Sequence, residues 1–500
     1  MPNTDTSDVH IAIAGAGLAG LGMAIALRRD GIEDFVVLER ADDLGGTWRD
    51  NCYPGCACDI ASVLYSYSDE QNPAWTRAFA HQPEIHAYIR DVARRRGVTP
   101  HLRYGHEVLE ANWDEESERW EIRTSGGDFR AEIFISAVGA LADPSIPSLT
   151  GLDSFQGTVF HSARWNHDHD LTGRRVAVVG TGASAIQFVP EIQPHVGHLD
   201  LFQRTPPWVL PRGNPVIPES WRRRFARHPK LLAWLRRSVF SLYETFHYGF
   251  QHPAVMKLAE RRARAQIERQ VTDPQLRVKL IPDYRLGCKR VLGSDTWYPA
   301  LTQDNVEVVT AGITRVTPDG IIDADGAHHP VDTIIFGTGF HVSDVPVSHR
   351  IRGRGGELLA DRWQGSPQAH LGIGVTGYPN LFMLLGPNTG LGHNSVLLMI
   401  EAQIGYLRRA LRYRRELGLA TLEPAPGAQA AYVAAVDRGT EGSVWTAGGC
   451  LSWYVDATGR NSTLWPGSVR AYQRRLAQFE IGDYDAQLPR HLPEREPAYV

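Results

Sequence analysis

The sequence predicts an α/β fold with two Rossmann-like dinucleotide-binding domains and an inserted helical subdomain. Two glycine-rich turns, each directly after a short apolar strand, indicate two nucleotide-binding sheets. A basic segment with helical periodicity lies between the second turn and the later strands. The chain has 500 residues, more than the ~250–300 at which one hydrophobic core stops growing. More than one domain is therefore expected.

Composition and charge narrow the class of protein. Apolar residues make up 43% and charged residues 22% of the chain, as in ordinary globular proteins. A net charge of -4 argues against a nucleic-acid binder. The start, MPNTDTSDVH, lacks the features of a secretory signal, and no apolar run reaches the ~18 residues of a transmembrane helix. We therefore expect a cytoplasmic protein, with neither nucleic-acid binding nor membrane association.

The first nucleotide-binding element is HIAIAGAGLAGLGMAIALRRDGIEDFVVLER, residues 10–40. Its pattern predicts a strand, a turn, a helix and a second strand. Gly15, Gly17 and Gly20 form GxGxxG, which permits a tight turn, a close approach to a pyrophosphate and close helix packing. Glu39 ends the second strand, where a carboxylate accepts hydrogen bonds from ribose hydroxyls. The stretch predicts a dinucleotide site.

The pattern returns in RRVAVVGTGASAIQFVPEI, which predicts a second dinucleotide site. Gly180, Gly182 and Ala185 form GxGxxA after an apolar strand. The following strand ends in LDLFQRTPP, so the ribose-reading position carries Arg204 and Thr205 instead of an acid. A guanidinium and a hydroxyl suit a 2′-phosphate, and no carboxylate repels it. This site is predicted to bind NADPH.

Between the second turn and the later strands, residues 211–284 are predicted to form the helical insertion. Apolar residues at helical spacing alternate with arginines, Arg236 among them, which is typical of helices with a buried stripe and a solvated basic face. The less common alternative for such a basic amphipathic pattern is a helix that lies on a membrane surface. The apolar positions are Leu231, Trp234, Leu235, Val239, Leu242, Tyr243 and Phe246.

The segments VDTIIFGTGF and NLFMLLGPNTGLGHN are predicted as late strands that rejoin the two sheets, so both nucleotide domains are discontinuous. The first domain is predicted over residues 1–149 and 376–500. The second is predicted over residues 150–210 and 285–375.

The cysteines raise a rival function. The five cysteines suggest neither a disulfide framework nor a metal site. However, flavin disulfide reductases also have two nucleotide sites and a cysteine pair after the first, and Cys52 and Cys56 follow the first site here. The reductase pair lies on a helix with four residues between the cysteines. Here three intervene, and Pro54 and Gly55 among them disfavour a helix.

The connector FQGTVFHSARWN carries the most specific pattern in the chain. Phe155, Gly157, His161 and Trp165 match FxGxxxHxxxW and lie between the two nucleotide sites. In pattern and position they resemble Baeyer–Villiger monooxygenases, class B flavoprotein monooxygenases. GGTWRDNCYPGCACD, FQRTPPWVLP and LGCKRVL are also similar to segments of that family, so the resemblance covers most of the chain. One departure is Asn166, where the family usually has Pro or Asp.

The resemblance implies a function and its cofactors. The first domain would bind FAD and the second NADPH, and the enzyme would use O2 to insert oxygen beside a ketone carbonyl, giving an ester or lactone. The alternative is oxygenation of a sulfide or amine, as in the related flavin-containing monooxygenases. A flavoprotein that only senses NADPH remains a third reading. In the family, the connector couples NADPH binding to domain motion.

The resemblance also assigns residues to the chemistry. An oxygen anion beside the flavin needs a fixed positive charge in a site that excludes water. Arg290 in LGCKRVL matches the family's active-site arginine, and Asp59 matches the carboxylate that orients it. Lys289 is expected at the NADPH phosphate. The flavin-proximal stretch is expected to place Gly46, Thr47 and Trp48 beside the FAD.

Overall fold

The computed structural model of the protein describes residues 6–490. The N-terminal part forms the predicted strand, turn, helix and strand, and the two strands pair in parallel. Its elements are β1 (Ser7–Ala14), α1 (Leu18–Arg29), β2 (Phe35–Glu39), α2 (Thr47–Asp50), α3 (Gln82–Arg95), β3 (Leu102–Tyr104), β4 (Val108–Asp114), β5 (Arg119–Thr124) and β6 (Asp128–Ser136).

The connector leads into the second glycine turn. Its elements are β7 (Thr158–His161), β8 (Arg175–Val179), α4 (Ala185–Ile192) and β9 (His198–Phe202). The strand within the connector, β7, therefore carries His161 at its end.

Four helices follow where the helical insertion is predicted. The elements are β10 (Val209–Leu210), α5 (Glu219–Arg227), α6 (Pro229–Gln251), α7 (Pro253–Gln270), α8 (Pro274–Leu280) and β11 (Leu292–Gly293). β10 pairs in parallel with β11, so the insertion leaves and returns at one place. Prolines begin α6, α7 and α8, where their fixed φ and missing N–H cost nothing.

The predicted buried stripe of this insertion needs correction. Trp234, Leu242 and Phe246 are 62%, 56% and 52% exposed. Arg236, expected on the solvated face, is instead 6% exposed, and its Nη1 donates to the Val63 carbonyl at 2.8 Å. Apolar residues occur around α6, so periodicity alone did not identify the buried face.

The second sheet is completed after the insertion. The elements are α9 (Trp297–Leu301), β12 (Val306–Val309), β13 (Ile313–Thr317), β14 (Gly320–Asp323), β15 (His328–Pro330) and β16 (Thr333–Phe336). The parallel sheet has the order β12-β9-β8-β16-β7, and β13, β14 and β15 form an antiparallel sheet beside it. VDTIIFGTGF thus supplies the strand next to the second glycine turn, as predicted.

The C-terminal part returns to the first sheet. Its elements are β17 (Ile351–Arg352), α10 (Leu359–Trp363), β18 (Leu381–Met383), α11 (Val396–Glu416), β19 (Thr421–Pro424), α12 (Pro426–Thr440), α13 (Val444–Ala447), α14 (Val469–Arg475) and β20 (Tyr484–Gln487). The first sheet has the order β17-β4-β5-β6-β1-β2-β3, with β18 also pairing with β6. The predicted boundary of 285–375 is corrected here, because β17 already pairs with β4 of the first sheet.

The layers support the predicted α/β architecture. A large apolar core covers the helix-packed faces of both sheets and reaches into the insertion. Smaller cores lie on the other face of each sheet. Another core joins the insertion to the C-terminal segment through Trp208, Phe250, Cys288, Trp445 and Tyr454.

Two further features concern the cysteines and membrane crossing. Cys288 and Cys450, 162 residues apart, form a disulfide, although the cysteine pattern had suggested no disulfide framework. Such a pairing depends on tertiary proximity, which cysteine spacing does not report. Over residues 6–490, no helix is long and apolar enough to cross a membrane.

Candidate active site

The first glycine turn requires glycine at two of its three positions, Gly15 and Gly20. Gly15 has φ +102° and its N–H donates to the Leu38 carbonyl at 2.8 Å. A Cβ added to Gly20 would lie 1.9 Å from the Gly15 carbonyl oxygen. At Gly17 the nearest atom to an added Cβ is the Gly46 Cα, at 3.8 Å. The turn therefore brings backbone rather than side chains to the start of α1, where a pyrophosphate binds.

Glu39 lies buried at the end of β2, beside this turn. Its carboxylate accepts hydrogen bonds from the backbone of Ala16 (2.9 Å) and Ala41 (3.0 Å) and from Arg49 Nη1 (2.8 Å). The residue is 4% exposed. These contacts fix a carboxylate against the turn, which suits a ribose-reading role. Arg49 has no sequence pattern that assigns it to Glu39.

The flavin-proximal stretch packs directly on the first turn. A Cβ on Gly46, which has φ +52°, would lie 3.2 Å from the Gly17 Cα. Thr47 begins α2 with an exposed side chain. Trp48 is buried and its Nε1 donates to the Tyr65 hydroxyl at 3.0 Å. Backbone thus lies against backbone beside the nucleotide turn, with Trp48 held in a fixed orientation.

The second glycine turn repeats the close packing. Gly180 has φ +105°, and its N–H donates to the Phe202 carbonyl at 3.0 Å. A Cβ on Gly180 would lie 2.6 Å from the Gly337 carbonyl oxygen. Gly182 is near the same carbonyl, and Ala185 is fully buried at the start of α4. The turn after β16 therefore closes over the turn after β8.

Two cations flank this second site. Arg204 is exposed at the end of the β9 strand segment, and Lys289 is half-buried. Burial and the charge of Arg204 lower the pKa of Lys289. Within residues 6–490, neither forms a salt bridge with a carboxylate, and the Lys289 ammonium lies 5.0 Å from the centroid of the Tyr284 ring. Neighbouring cations that form no salt bridge of their own suit a bound phosphate. Thr205 lies beside them, and its carbonyl accepts from Thr181.

Arg290 and Asp59 meet as a two-bond ion pair. Arg290 Nε lies 2.6 Å from Asp59 Oδ2, and Nη2 lies 2.8 Å from Oδ1. Burial of Asp59 opposes its ionisation, but the charge and hydrogen bonds of Arg290 outweigh burial and lower the pKa of Asp59. The charge of Asp59 outweighs burial and raises the pKa of Arg290. Both groups stay charged, and about a third of each side chain faces open space.

The pair lies between elements of both nucleotide sites. Lys289, next in sequence to Arg290, is close enough to Arg204 for that charge to lower the pKa of Lys289. On the other side, Asp59 and Arg290 both influence the pKa of Tyr65, which contacts Trp48. The ion pair therefore lies close to residues of both nucleotide sites, and Ala57, two residues before Asp59, also bonds to Gln187 of the second site.

Two residues near this ion pair were not predicted from the sequence. Tyr454 is 1% exposed, and its hydroxyl is close enough to Arg290 for that charge to oppose the rise in its pKa caused by burial. Arg212 donates to the Cys58 carbonyl and its charge helps to lower the pKa of Asp59. A single Tyr or Arg has no local signature, so only the folded chain identifies them.

The connector residues form tight local contacts. A Cβ on Gly157 would lie 2.4 Å from the Asp332 carbonyl oxygen and 2.6 Å from the Phe155 ring, so glycine is required there. His161 is 2% exposed, and its Nδ1 accepts from the Ala163 N–H at 3.1 Å. Burial lowers the pKa of His161 to about 4. The ring is therefore neutral near neutral pH and is not poised as an acid or base.

Trp165 of the connector packs where the first and second nucleotide domains meet. Its ring packs on Phe188 of α4, with centroids 5.3 Å apart, and Phe188 in turn contacts Tyr53. Gln187 of α4 exchanges two hydrogen bonds with the backbone of Ala57, its Nε2 donating at 3.0 Å and its Oε1 accepting at 3.2 Å. The helix of the second glycine turn therefore touches the stretch that leads to Asp59.

The cysteine arrangement does not support disulfide reduction. Cys52 and Cys56 are free thiols, and α2 ends at Asp50, before both. Burial raises the pKa of Cys56 to about 12 and also raises that of Cys52. Thiols with raised pKa values are poor nucleophiles at neutral pH.

Known proteins similar to this chain are nucleotide-dependent oxidoreductases. A family model described as pyridine nucleotide-disulphide oxidoreductase matches residues 12–217. A Streptomyces coelicolor protein named Baeyer-Villiger monooxygenase is 47% identical over 483 residues, which is 96% of this chain and 93% of that protein.

Solved structures agree in fold over nearly the whole chain. Oxidised steroid monooxygenase bound to NADP is 30% identical, with a TM-score of 0.86 over 97% of this chain and 100% of that one. OTEMO in complex with FAD and NADP is 27% identical, with a TM-score of 0.86 over 96% of this chain and 100% of that one.

Proposed function

This chain belongs to the Baeyer–Villiger monooxygenase family, and from that premise we propose that the Arg290–Asp59 pair supports its oxygen-insertion step. The protein is an FAD- and NADPH-dependent monooxygenase that inserts one oxygen atom from O2 beside a ketone carbonyl, giving an ester or lactone. The proposal rests on the position of the pair, which is partly exposed and follows the Ala57 backbone that bonds to Gln187 of the second nucleotide site.

The residues fit the two cofactors. We propose that Gly15, Gly17 and Gly20 hold the FAD pyrophosphate and that Glu39 binds its ribose. Gly46, Thr47 and Trp48 would line the flavin. On the second sheet, Gly180, Gly182 and Ala185 would hold the NADPH pyrophosphate, and Arg204, Thr205 and Lys289 its 2′-phosphate. When bound and reduced by NADPH, FAD would supply the electrons that activate O2, from which the inserted oxygen atom comes.

Arg290 supplies the fixed charge that this chemistry requires. A guanidinium remains protonated when buried and offers several donors, so it can stabilise negative charge on oxygen and then on the former ketone carbonyl. Asp59 holds the fork in one orientation through two charge-assisted hydrogen bonds. Arg212, which donates to the Cys58 carbonyl, adds a second positive charge near Asp59.

The substrate assay tests this function. Purified enzyme with NADPH and O2 should convert ketones to esters or lactones containing one added oxygen. Oxygenation of sulfides or amines alone, with no ketone product, would favour the alternative function over Baeyer–Villiger oxidation.

Coenzyme choice gives a test of the second site. Arg204→Ala should raise the KM for NADPH about 10- to 150-fold, since one charge-assisted contact contributes about 1.5–3 kcal/mol. The KM for NADH should change little. Arg315→Ala removes an equally exposed arginine from β13 and should leave both KM values unchanged. Equal use of NADH and NADPH by the parent protein would contradict the phosphate assignment.

The connector should couple NADPH binding to flavin reduction. Trp165→Ala removes the packing on Phe188, so stopped-flow flavin reduction should slow severalfold while the FAD content stays at the parent level. His161→Ala should act in the same direction. The control Trp363→Ala removes a similarly half-buried tryptophan on α10 and should not slow reduction. Loss of FAD together with unfolding would instead show that the connector only stabilises the fold.

Tyr454 should help to position Arg290. Tyr454→Phe removes one buried hydroxyl beside the guanidinium, so the ester formed per NADPH consumed should fall a few-fold while flavin reduction is unchanged. Tyr432→Phe removes another buried hydroxyl that lacks a partner within residues 6–490 and should leave this ratio at the parent value. If both variants form the same amount of ester per NADPH consumed, Tyr454 does not position Arg290.

A further inference from the structure

The helical insertion has a charge opposite to that of the rest of the chain. Residues 211–284 contain fifteen Lys and Arg against six Asp and Glu, whereas the remaining residues contain thirty-seven against fifty. The whole chain has a net charge of -4. The insertion is therefore a strongly basic lobe on an acidic body, and this polarity orients the molecule toward an anionic partner.

The same lobe exposes an unusual share of apolar surface. Eighteen large apolar side chains are exposed among the described residues, and nine of them lie in this insertion. Trp234, Phe246 and Leu258 are 62%, 52% and 75% exposed. Isolated exposed apolar side chains are normal, but a concentration of them in one small subdomain marks an interaction surface.

Helix α6 places its own exposed apolar side chains on one face. At about 100° per residue, Trp234, Leu242 and Tyr248 fall within one exposed sector. Lys230 and Arg237, also exposed, fall at its edge. The opposite side carries the buried Leu232, Arg236 and Phe250. The exposed face therefore combines aromatic and aliphatic side chains with flanking cations.

We propose that the insertion, through α5, α6 and α7, docks in the interface of an anionic lipid bilayer without crossing it. Helices that lie in this interface combine basic residues with Trp, Phe and Leu on their exposed surface, and each Lys or Arg near anionic headgroups strengthens binding. A second copy of the chain fits less well, since a symmetric contact through this lobe would oppose two basic surfaces. This proposal takes up the membrane alternative for the insertion and departs from the sequence expectation of no membrane association.

The lobe that would dock is joined by the chain to the segment that carries Arg290. The insertion joins the rest of the chain at the β10–β11 pair, and Arg290 lies two residues before β11.

Vesicle binding by the purified holoenzyme tests the proposal. The parent should co-sediment with phosphatidylcholine vesicles that contain phosphatidylglycerol, bind pure phosphatidylcholine weakly, and be released by salt. Lys230→Glu combined with Arg237→Glu should lower the partition coefficient at least about 30-fold. Trp234→Ser combined with Phe246→Ser should also weaken binding strongly. NADPH oxidation with a water-soluble ketone should stay at the parent rate in both double variants.

A matched control distinguishes binding through this surface from non-specific adsorption of the protein to vesicles. Tyr413→Ser changes an exposed aromatic on α11, outside the insertion, and should bind vesicles like the parent. Failure of the parent to bind anionic vesicles at low salt would overturn the proposal. So would equal loss of binding in the Tyr413→Ser control. A dimer that Trp234→Ser dissociates, without any vesicle binding, would identify a second copy as the occupant instead.

Discussion

Arg290→Ala should nearly abolish ester formation from NADPH, O2 and a ketone. In a separate assay without O2, NADPH should still reduce and bleach the flavin of this variant. Hydride transfer needs two aligned rings, whereas oxygen insertion needs the fixed charge that Arg290 holds 2.6 Å from Asp59. Losing one such stabilising group typically costs a factor of about 10²–10³ in rate. Oxygen electrodes and product chromatography should show NADPH consumption that yields hydrogen peroxide instead of ester.

Two variants separate charge from geometry in this prediction. Arg290→Lys keeps the charge but loses the planar fork that makes two bonds to Asp59, so poor rescue is expected. Asp59→Ala leaves the guanidinium charged but unoriented and should give a milder loss. Full-rate, fully coupled ester formation by Arg290→Ala would show that another group stabilises the oxygen anion.

Gly20→Ala should prevent FAD binding altogether. The added Cβ would lie 1.9 Å from the Gly15 carbonyl oxygen. No side-chain rotation relieves an overlap with backbone, so α1 must move away from β1 and the pyrophosphate site opens. The purified variant should lack the flavin absorbance of the parent and unfold at lower temperature.

A glycine elsewhere provides the control for this result. Gly427, near the start of α12, has no atom within 4 Å of an added Cβ. Gly427→Ala should therefore retain FAD and the parent melting temperature or slightly exceed it. If Gly20→Ala binds FAD as tightly as the parent, the first turn does not hold the pyrophosphate in the way described.

Local patterns explain why the two nucleotide folds could be predicted. Gly15, Gly17 and Gly20 act within a few residues of one another, so their spacing already specifies the turn. The same holds for Gly180 and Gly182. Strand β17 has only two residues and no periodicity, which is why the second domain was predicted to extend past it.

The site itself depends on contacts that spacing does not encode. Asp59 and Arg290 are 231 residues apart, and resemblance rather than geometry brought them together at the sequence level. Tyr454 and Arg212 carry no pattern of their own, so they emerge only from the packed structure. The exposed face of α6 was missed because apolar residues occur around the helix, and the contacts of neighbouring elements decide which are buried.

Isotopic labelling of the product distinguishes oxygen insertion by this enzyme from unproductive oxidation of NADPH. The holoenzyme is incubated with NADPH, labelled O2 (¹⁸O₂) and a panel of cyclic ketones, and the products are identified by mass spectrometry. Baeyer–Villiger oxidation should give lactones that each carry one labelled oxygen atom in the ring, formed in step with NADPH consumption. NADPH consumption that yields only labelled hydrogen peroxide with every ketone, or lactone without the label, would contradict Baeyer–Villiger oxidation by this protein.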